Sequence, residues 1–321
     1  MRPPARLAPH LPAIGLTVAV ILWGTSFVAT KAALTGFGPL TVIGLRMVLA
    51  SALMLPFWSR VPAPPRRPGD ARWLLLLVLL YPCLYFTLET NAVTQTTASQ
   101  AGAVSAVVPL LVAVGARVFL RERLAGRAVI GLALSIGGVV VLSIGGPAAA
   151  SAPNPALGNA IEFAALAGYA VATLVVKQLS GRYSPWLLSG LGCATGALVF
   201  LPALALTPAS TWGAASADAW AGVLYLGIAV TLIPAGLFNL AVSRMPATRA
   251  ALAINLVPVV AIVTGWVLLG DSMTVVQGLA CAVILAGVLL GERGGEHATV
   301  DAPATGYQAR KRVGRIRISS G

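Results

Sequence analysis

Charge is scarce in this chain. Only 10% of its 321 residues are Asp, Glu, Lys or Arg, and 58% are hydrophobic, whereas a soluble domain carries about 25% charged residues. Most of the chain therefore cannot face water. Histidine is scarcer still. His10 and His297 stand in opposite tails, which excludes a histidine site, a Ser-His-Asp set and a histidine-ligated metal. The three cysteines, Cys83, Cys193 and Cys281, lie in apolar runs without metal spacing and read as small hydrophobes, with no disulfide framework. No glycine-rich phosphate loop occurs, and no cofactor is implied. The formal charge of +13 would suggest nucleic acid in a soluble protein. Here the basic residues flank apolar runs, which points to lipid headgroups, and no folded nucleic-acid reader is visible.

What the chain has is long apolar runs, and it has them twice. A shift of 149 residues lays 98–125 on 247–274, with Ala98 on Ala247, Pro109 on Pro258, Leu120 on Leu269 and Glu122 on Asp271. A shift of 146 lays Lys31 on Lys177, Gly44 on Gly190, Leu45 on Leu191 and Pro56 on Pro202. An internal repeat fixes the architecture before any other feature. A bilayer core needs about 20 apolar residues per helix. Spans are expected near 11–34, 39–58, 73–91, 98–119, 127–146, 157–177, 185–206, 219–243, 247–270 and 274–291. The runs are continuously apolar and do not alternate, so helices are expected rather than a barrel. Arg2 and Arg6 before the first run mimic a signal peptide, but the run is long enough to span and reads as an uncleaved first helix.

The fold class expected is an all-α integral membrane protein, ten transmembrane helices as two inverted five-helix repeats. The organisation reads as a cytoplasmic tail at 1–10, a first repeat at 11–146, a linker at 147–156, a second repeat at 157–291 and a basic cytoplasmic tail at 292–321. With both termini inside, all of the 22 Lys and Arg except Lys31 and Arg46 fall on the inner side, as positive residues resist translocation. Each half has an odd number of spans, so the second enters from the other side. Inverted repeats about a midplane site are a common plan of secondary transporters.

This pattern resembles the EamA family of the drug/metabolite transporter superfamily. The likeness rests on Trp23 to Phe27, Gly44-Leu45-Arg46, Ala98 to Pro109 with the Glu122 turn, Ile130 to Val139, Pro246-Ala247-Thr248, Pro258, Gly270-Asp271 and Gln277 to Val288, within about residues 11–291. It implies a ten-helix carrier of the bacterial inner membrane with a central cavity. It implies export of amino acids, related metabolites or drugs without ATP. The second copy departs from the motif, with Tyr169-Ala170 for Trp-Gly and Gly192 where the first has Arg46, so the halves are not expected to contribute equally.

Polar residues inside spans are costly and are functional candidates. Lys31, Arg46, Glu89 and Glu162 all fall in the outer half of the expected topology. They are expected to form an ion-pair network acting as an outer gate, with Lys31 and Glu162 as gate residues, or binding a zwitterion. The alternative reading has Lys31 and Glu162 snorkelling to headgroups, and Arg46 tying helix ends. Tyr81, Tyr85 and Glu89 form one stripe at spacing four, and Ser26 and Thr30 share a face. Asn239 and Asn255 are buried amides, for a cavity or for interhelical hydrogen bonds. Trp23 and Tyr169 are candidates for an apolar wall, the alternative for each being helix packing or lipid contact. Pro82, Pro109, Pro234 and Pro258 lie inside spans and mark hinges or fixed bends. The transport reading takes the bilayer and a small-molecule substrate as partners, with either protons as a coupling ion or the solute gradient alone as the drive, and a monomer or homodimer as the assembly. Its rivals are a non-transporting membrane sensor or assembly partner, and an intramembrane enzyme on lipid-linked substrates. The absence of a catalytic set in the spans speaks against an enzyme.

Overall fold

The computed structural model describes residues 11–59, 61, 64, 67–119, 126–144, 151–180, 182–234, 237–238 and 255–295. The expected eighth and ninth spans, and the 121–123 turn, fall partly or wholly outside them. Among the described residues the chain is helical, without a strand. The helices are α1 (Leu11–Leu34), α2 (Pro39–Trp58), α3 (Asp70–Gln95), α4 (Ala98–Phe119), α5 (Gly126–Ile144), α6 (Pro155–Leu179), α7 (Pro185–Ala205), the short α8 (Ala209–Ala214), α9 (Ala217–Val230), α10 (Val257–Leu269) and α11 (Val275–Gly295). Seven of these, α1 to α7, are long and apolar enough to cross a membrane, and α9 to α11 supply shorter apolar stretches.

Local chemistry sets the ends. Thr97, Asn154, Ser184 and Ser216 each accept a hydrogen bond from the backbone N–H three residues on, which starts α4, α6, α7 and α9; each such cap stabilises by about 1 kcal/mol. Gly270 ends α10 at φ 68°, where a glycine carries no Cβ penalty. Thr274 and Gln277 then form a reciprocal capping box that opens α11.

The same irregularities recur in both copies. Residues Leu79–Tyr85 of α3 and Tyr225–Val230 of α9 are π-helical, at positions matched by the shift of 146. Pro82 sits inside the first π segment and Pro234 follows the second. Residues 106–107 of α4 and residues 255–256 before α10 are turns, matched by the shift of 149, and each stands just before a proline, Pro109 or Pro258. A proline has no N–H for the helix ladder and its ring meets the carbonyl four residues back. The backbone answers by widening or tightening a turn.

Glycines set how the copies meet. A Cβ at Gly44 would meet Leu204 and the Phe200 carbonyl, and one at Gly190 would meet Trp58 and Met54. These are the same contacts read through the shift of 146, so α2 packs on α7 self-complementarily. Gly138 faces Ile284 and the Ala280 carbonyl, while Gly287 faces Ser135 and the Gly131 carbonyl. That is the same contact through the shift of 149, and it joins α5 to α11. Ser135 Oγ donates to the Ile284 carbonyl at 3.1 Å across it. Reciprocity of this kind is what a two-fold relation produces.

The connections gather at two ends. At one, Gly36 meets Ala215 and Ala219, Asn154 N–H donates to the Gln95 carbonyl, and Ser99 N–H donates to Asp271 Oδ2 at 3.0 Å. At the other, Asp70 holds Arg182 in a two-pronged ion pair and accepts from Tyr183 Oη and Arg67 N–H, both at 2.9 Å. Gly287→Val would push a branched side chain into the α5 backbone. We expect a loss of about 1–3 kcal/mol, read as a lower thermal midpoint in detergent, with Gly278→Val, where no atom lies within 4 Å of the new Cβ, as the neutral control.

Candidate functional site

Arg46 lies seven residues into α2, Glu162 seven residues into α6, and Glu89 six residues before the end of α3. At 1.5 Å per residue each is about 10 Å from the same end of the bundle. Arg46 is 7% exposed, Glu89 6% and Glu162 0%. All three therefore face protein and not lipid, and Glu162 does not reach a headgroup along the outside of its helix. Charges so buried are costly unless paired.

Arg46 is gripped from three sides. Its Nε donates to Thr231 Oγ1 at 2.9 Å, its guanidinium lies 4.2 Å over the Phe86 ring, and its Nη1 is 3.9 Å from Glu89 Oε2. Glu89 Oε1 accepts from Tyr85 Oη at 2.6 Å. Tyr85 stacks on Tyr81 with ring centroids 5.9 Å apart, and Tyr169 lies 5.1 Å from Tyr85 and 5.8 Å from Tyr81. The two π segments deliver these groups. Tyr81 and Tyr85 come from the first. Thr231 follows the second and donates its own proton to the Leu226 carbonyl at 2.7 Å, which leaves its oxygen free to accept from Arg46. Tyr85 and Thr231 are equivalent under the shift of 146. Gly192, at the position equivalent to Arg46, leaves its space to Tyr81.

Three oxygens in this cluster, Glu89 Oε2 and both of Glu162, have no hydrogen-bond donor among the described residues. Glu162 lies within electrostatic reach of Glu89 and Tyr85.

The other expected residues are placed elsewhere. Lys31 and Glu162, expected as gate residues, are not paired with each other. Lys31 Nζ donates to the Ser151 carbonyl, with Asp271 nearby. Ser26 Oγ donates to the Trp23 carbonyl at 2.6 Å and Thr30 to the Ser26 carbonyl at 2.9 Å, so both hydroxyl protons are held on α1 itself. Trp23 packs on Phe238, centroids 5.9 Å apart. Asn255 stands in the turn before Pro258, and Asn239 lies outside the described residues.

Sequence reasoning missed Thr231, whose signal was its equivalence to Tyr85. It also missed a second polar knot toward the same end. There Asn159 donates to Gln100 Oε1 at 2.9 Å and to Ser143 Oγ at 3.2 Å, and accepts from Thr96 Oγ1 at 2.8 Å. Asn159 is one turn before Glu162 on α6, which was the available clue. Among the described residues no three His, Cys, Asp or Glu side chains gather as metal ligands would. A groove of about 700 Å³ lined by Val129, Ile130, Leu134, Val276, Leu279 and neighbours is wholly apolar and contains none of the expected site residues.

Thr231→Val keeps the side-chain shape and removes the acceptor for Arg46 Nε. It is expected to lower stability by about 1–3 kcal/mol, the cost of stranding a buried donor. Thermal unfolding in detergent checks this, with Thr17→Val on the exposed face of α1, whose hydroxyl donates only to the Ala13 carbonyl of its own helix, for comparison.

Comparison with known proteins places the chain in a family. The profile of the EamA-like transporter family matches twice, over residues 11–144 and 157–291. An uncharacterized transporter, YetK, of Bacillus subtilis (strain 168) is 27% identical over 86% of this chain and 85% of its own length. A protein of Streptantibioticus cattleyicolor named "probable terminal-alkyne amino-acid exporter" is 28% identical over 86% of this chain and 91% of its own. A solved crystal structure at 22% identity superposes with a TM-score of 0.60 over 88% of this chain and 98% of that one, a likeness of fold alone. Both halves of the apolar, duplicated helical chain fall within one family's profile, and the protein is a multi-pass membrane protein that belongs to the EamA-like transporter family.

Proposed function

We propose that this protein is a secondary transporter that moves amino acids or closely related small metabolites outward by alternating access. Its ten transmembrane helices would form two inverted five-helix repeats, at 11–146 and 157–291, in the bacterial inner membrane with both termini inside. Three features support the inversion. The charge pattern segregates under that topology, the α2–α7 and α5–α11 contacts are reciprocal, and the connections collect at two ends in alternation.

The observation that carries the substrate reading is the buried cluster of Arg46, Glu89 and Glu162 among Tyr81, Tyr85, Phe86 and Tyr169. A cation and two carboxyls, about 10 Å from one end, offer partners to both ends of a zwitterion. The rings offer a surface to an apolar side chain. Arg46 would pair the substrate carboxylate, in place of its long 3.9 Å contact with Glu89, and Glu89 the ammonium. The name of the Streptantibioticus relative points the same way. Pro82, Pro109, Pro234 and Pro258 would serve as hinges, since each adjoins an interruption of regular α-helix. Trp23, Ser26 and Asn255 are assigned to the translocation path, and Asn239 from its place in the sequence alone. Lys31, with Asp271, would close the outer end. The residues do binding and not chemistry, and no catalytic group is assigned.

Proteoliposomes loaded with a labelled mixture of neutral amino acids test this directly. Flux is expected above that of empty liposomes. Arg46→Ala is expected to lower it about tenfold or more, the equivalent of ~1.4 kcal/mol of lost binding, in protein that still elutes as a folded species. Wild-type flux of Arg46→Ala would sink the assignment. Topology has its own check. Thr35→Cys and Ala214→Cys should react with an impermeant maleimide from one side of the membrane, and Ser180→Cys only from the other.

A further inference from the structure

A single oxygen of Thr231 joins a backbone to a charge. Its hydroxyl donates to the Leu226 carbonyl at 2.7 Å, and its own N–H donates to the same carbonyl at 3.1 Å. That carbonyl lies five residues back, in the second π segment. With its proton committed there, the hydroxyl turns only lone pairs to Arg46, whose Nε donates to it at 2.9 Å. The Phe86 ring covers one face of the guanidinium at 4.2 Å. The side edge of Arg46 and one of its faces are thus taken by protein. The end edge, Nη1 with Nη2, is not. Nη1 stands 3.9 Å from Glu89 Oε2, beyond hydrogen-bond distance, and neither Nη donates a hydrogen bond among the described residues. A guanidinium takes a carboxylate by two parallel N–H bonds from one edge, and here one such edge is left.

We propose that Thr231 is a positioning residue of the substrate site. By holding Nε it withdraws the side edge of Arg46 and presents the Nη1–Nη2 edge to the substrate carboxylate. The inference rests on the transporter reading above and adds the specificity of its anionic pole. Two oxygens of a carboxylate match two N–H groups of that edge. A carboxamide offers one oxygen, and its NH2 sets donor against donor. The site therefore separates amino acids from their carboxamides by the aim of Arg46 as well as by its charge. The aim comes from the π segment, because Leu226 fixes the direction of the Thr231 hydroxyl. Gly227, in the same segment, lets that backbone approach the Arg46 carbonyl. A lysine at position 46 would keep the charge and lose the edge.

Proteoliposomes test this with the best-carried member of the labelled neutral amino-acid mixture as probe and its carboxamide as unlabelled competitor. Thr231→Val and Thr231→Ala are expected to raise KM for the probe about tenfold, as the loss of one hydrogen bond to a charged group would, with Vmax kept. The carboxamide should compete with the variants as it does with the wild type, so the preference for the acid falls by the same factor. Thr231→Ser keeps the hydroxyl and should restore the wild-type KM. A purely structural role would lower Vmax and leave both KM and the preference unmoved, and that outcome overturns the proposal. So does a serine variant as impaired as the valine one. The wild type alone supplies a check that no folding defect can obscure, since a carboxamide that competes as well as its parent acid overturns the edge match. Absence of any wild-type flux overturns the positioning together with the transporter reading, whereas wild-type flux with an unmoved KM in the variants overturns the positioning alone.

Discussion

In hydrocarbon, apolar surface gains nothing by leaving its solvent, so helices associate through close contact and polar bonds. The close contacts here are made at glycines. Gly44 and Gly190 set the approach of α2 to α7, and Gly138 and Gly287 set that of α5 to α11. Arg46 of the candidate site stands on the first of these crossing pairs. A further glycine, Gly227, sits in the second π segment, where a Cβ would meet Leu49 and approach the Arg46 carbonyl. It lets α9 come near enough to α2 for Thr231 to receive Arg46 Nε. The position of a buried cation thus rests on the absence of a methyl group on a neighbouring helix.

The second constraint is the backbone. A π segment is a costly irregularity, and such bulges concentrate at functional sites. Each π segment here delivers a side chain to the charged cluster, Tyr85 at the end of the first toward Glu89 and Thr231 just after the second toward Arg46. Duplication supplied the same device twice and divergence gave the copies different tasks. One copy brings the aromatic donor, the other the hydroxyl acceptor. The asymmetry of Arg46 against Gly192 is the same division, since the missing side chain leaves room for Tyr81.

Polar bonds between the copies tie each end of the bundle. Asp271 accepts from the first turn of α4 at one end, with Lys31 close by. Asp70 binds Arg182 and Tyr183 at the other. Between them the described core is mostly apolar, with Phe27 and Phe200 buried among aliphatic side chains, apart from the charged cluster, the Asn159 knot and scattered hydroxyls such as Thr90 and Ser135. A bundle held at its ends by bonds, and crossed by helices with interrupted ladders, has its softest points at the prolines.

The sequence by itself determined the helical membrane class, the duplication and the candidates for the interior. Apolar length and charge segregation act within single segments, so they are legible without a fold. Spacing also placed Tyr81, Tyr85 and Glu89 on one stripe, because that relation lies within one helix. What only the tertiary structure decided is which helices meet. Lys31 and Glu162 both lie near span ends, yet packing turns Glu162 inward toward Glu89 and leaves Lys31 beside Ser151 and Asp271. Thr231 is 185 residues from Arg46 in sequence, and no local pattern could pair them. Helical period fixes a residue's direction about its own axis. The partner it finds there is fixed by glycine contacts and π turns on other helices, which are long-range facts.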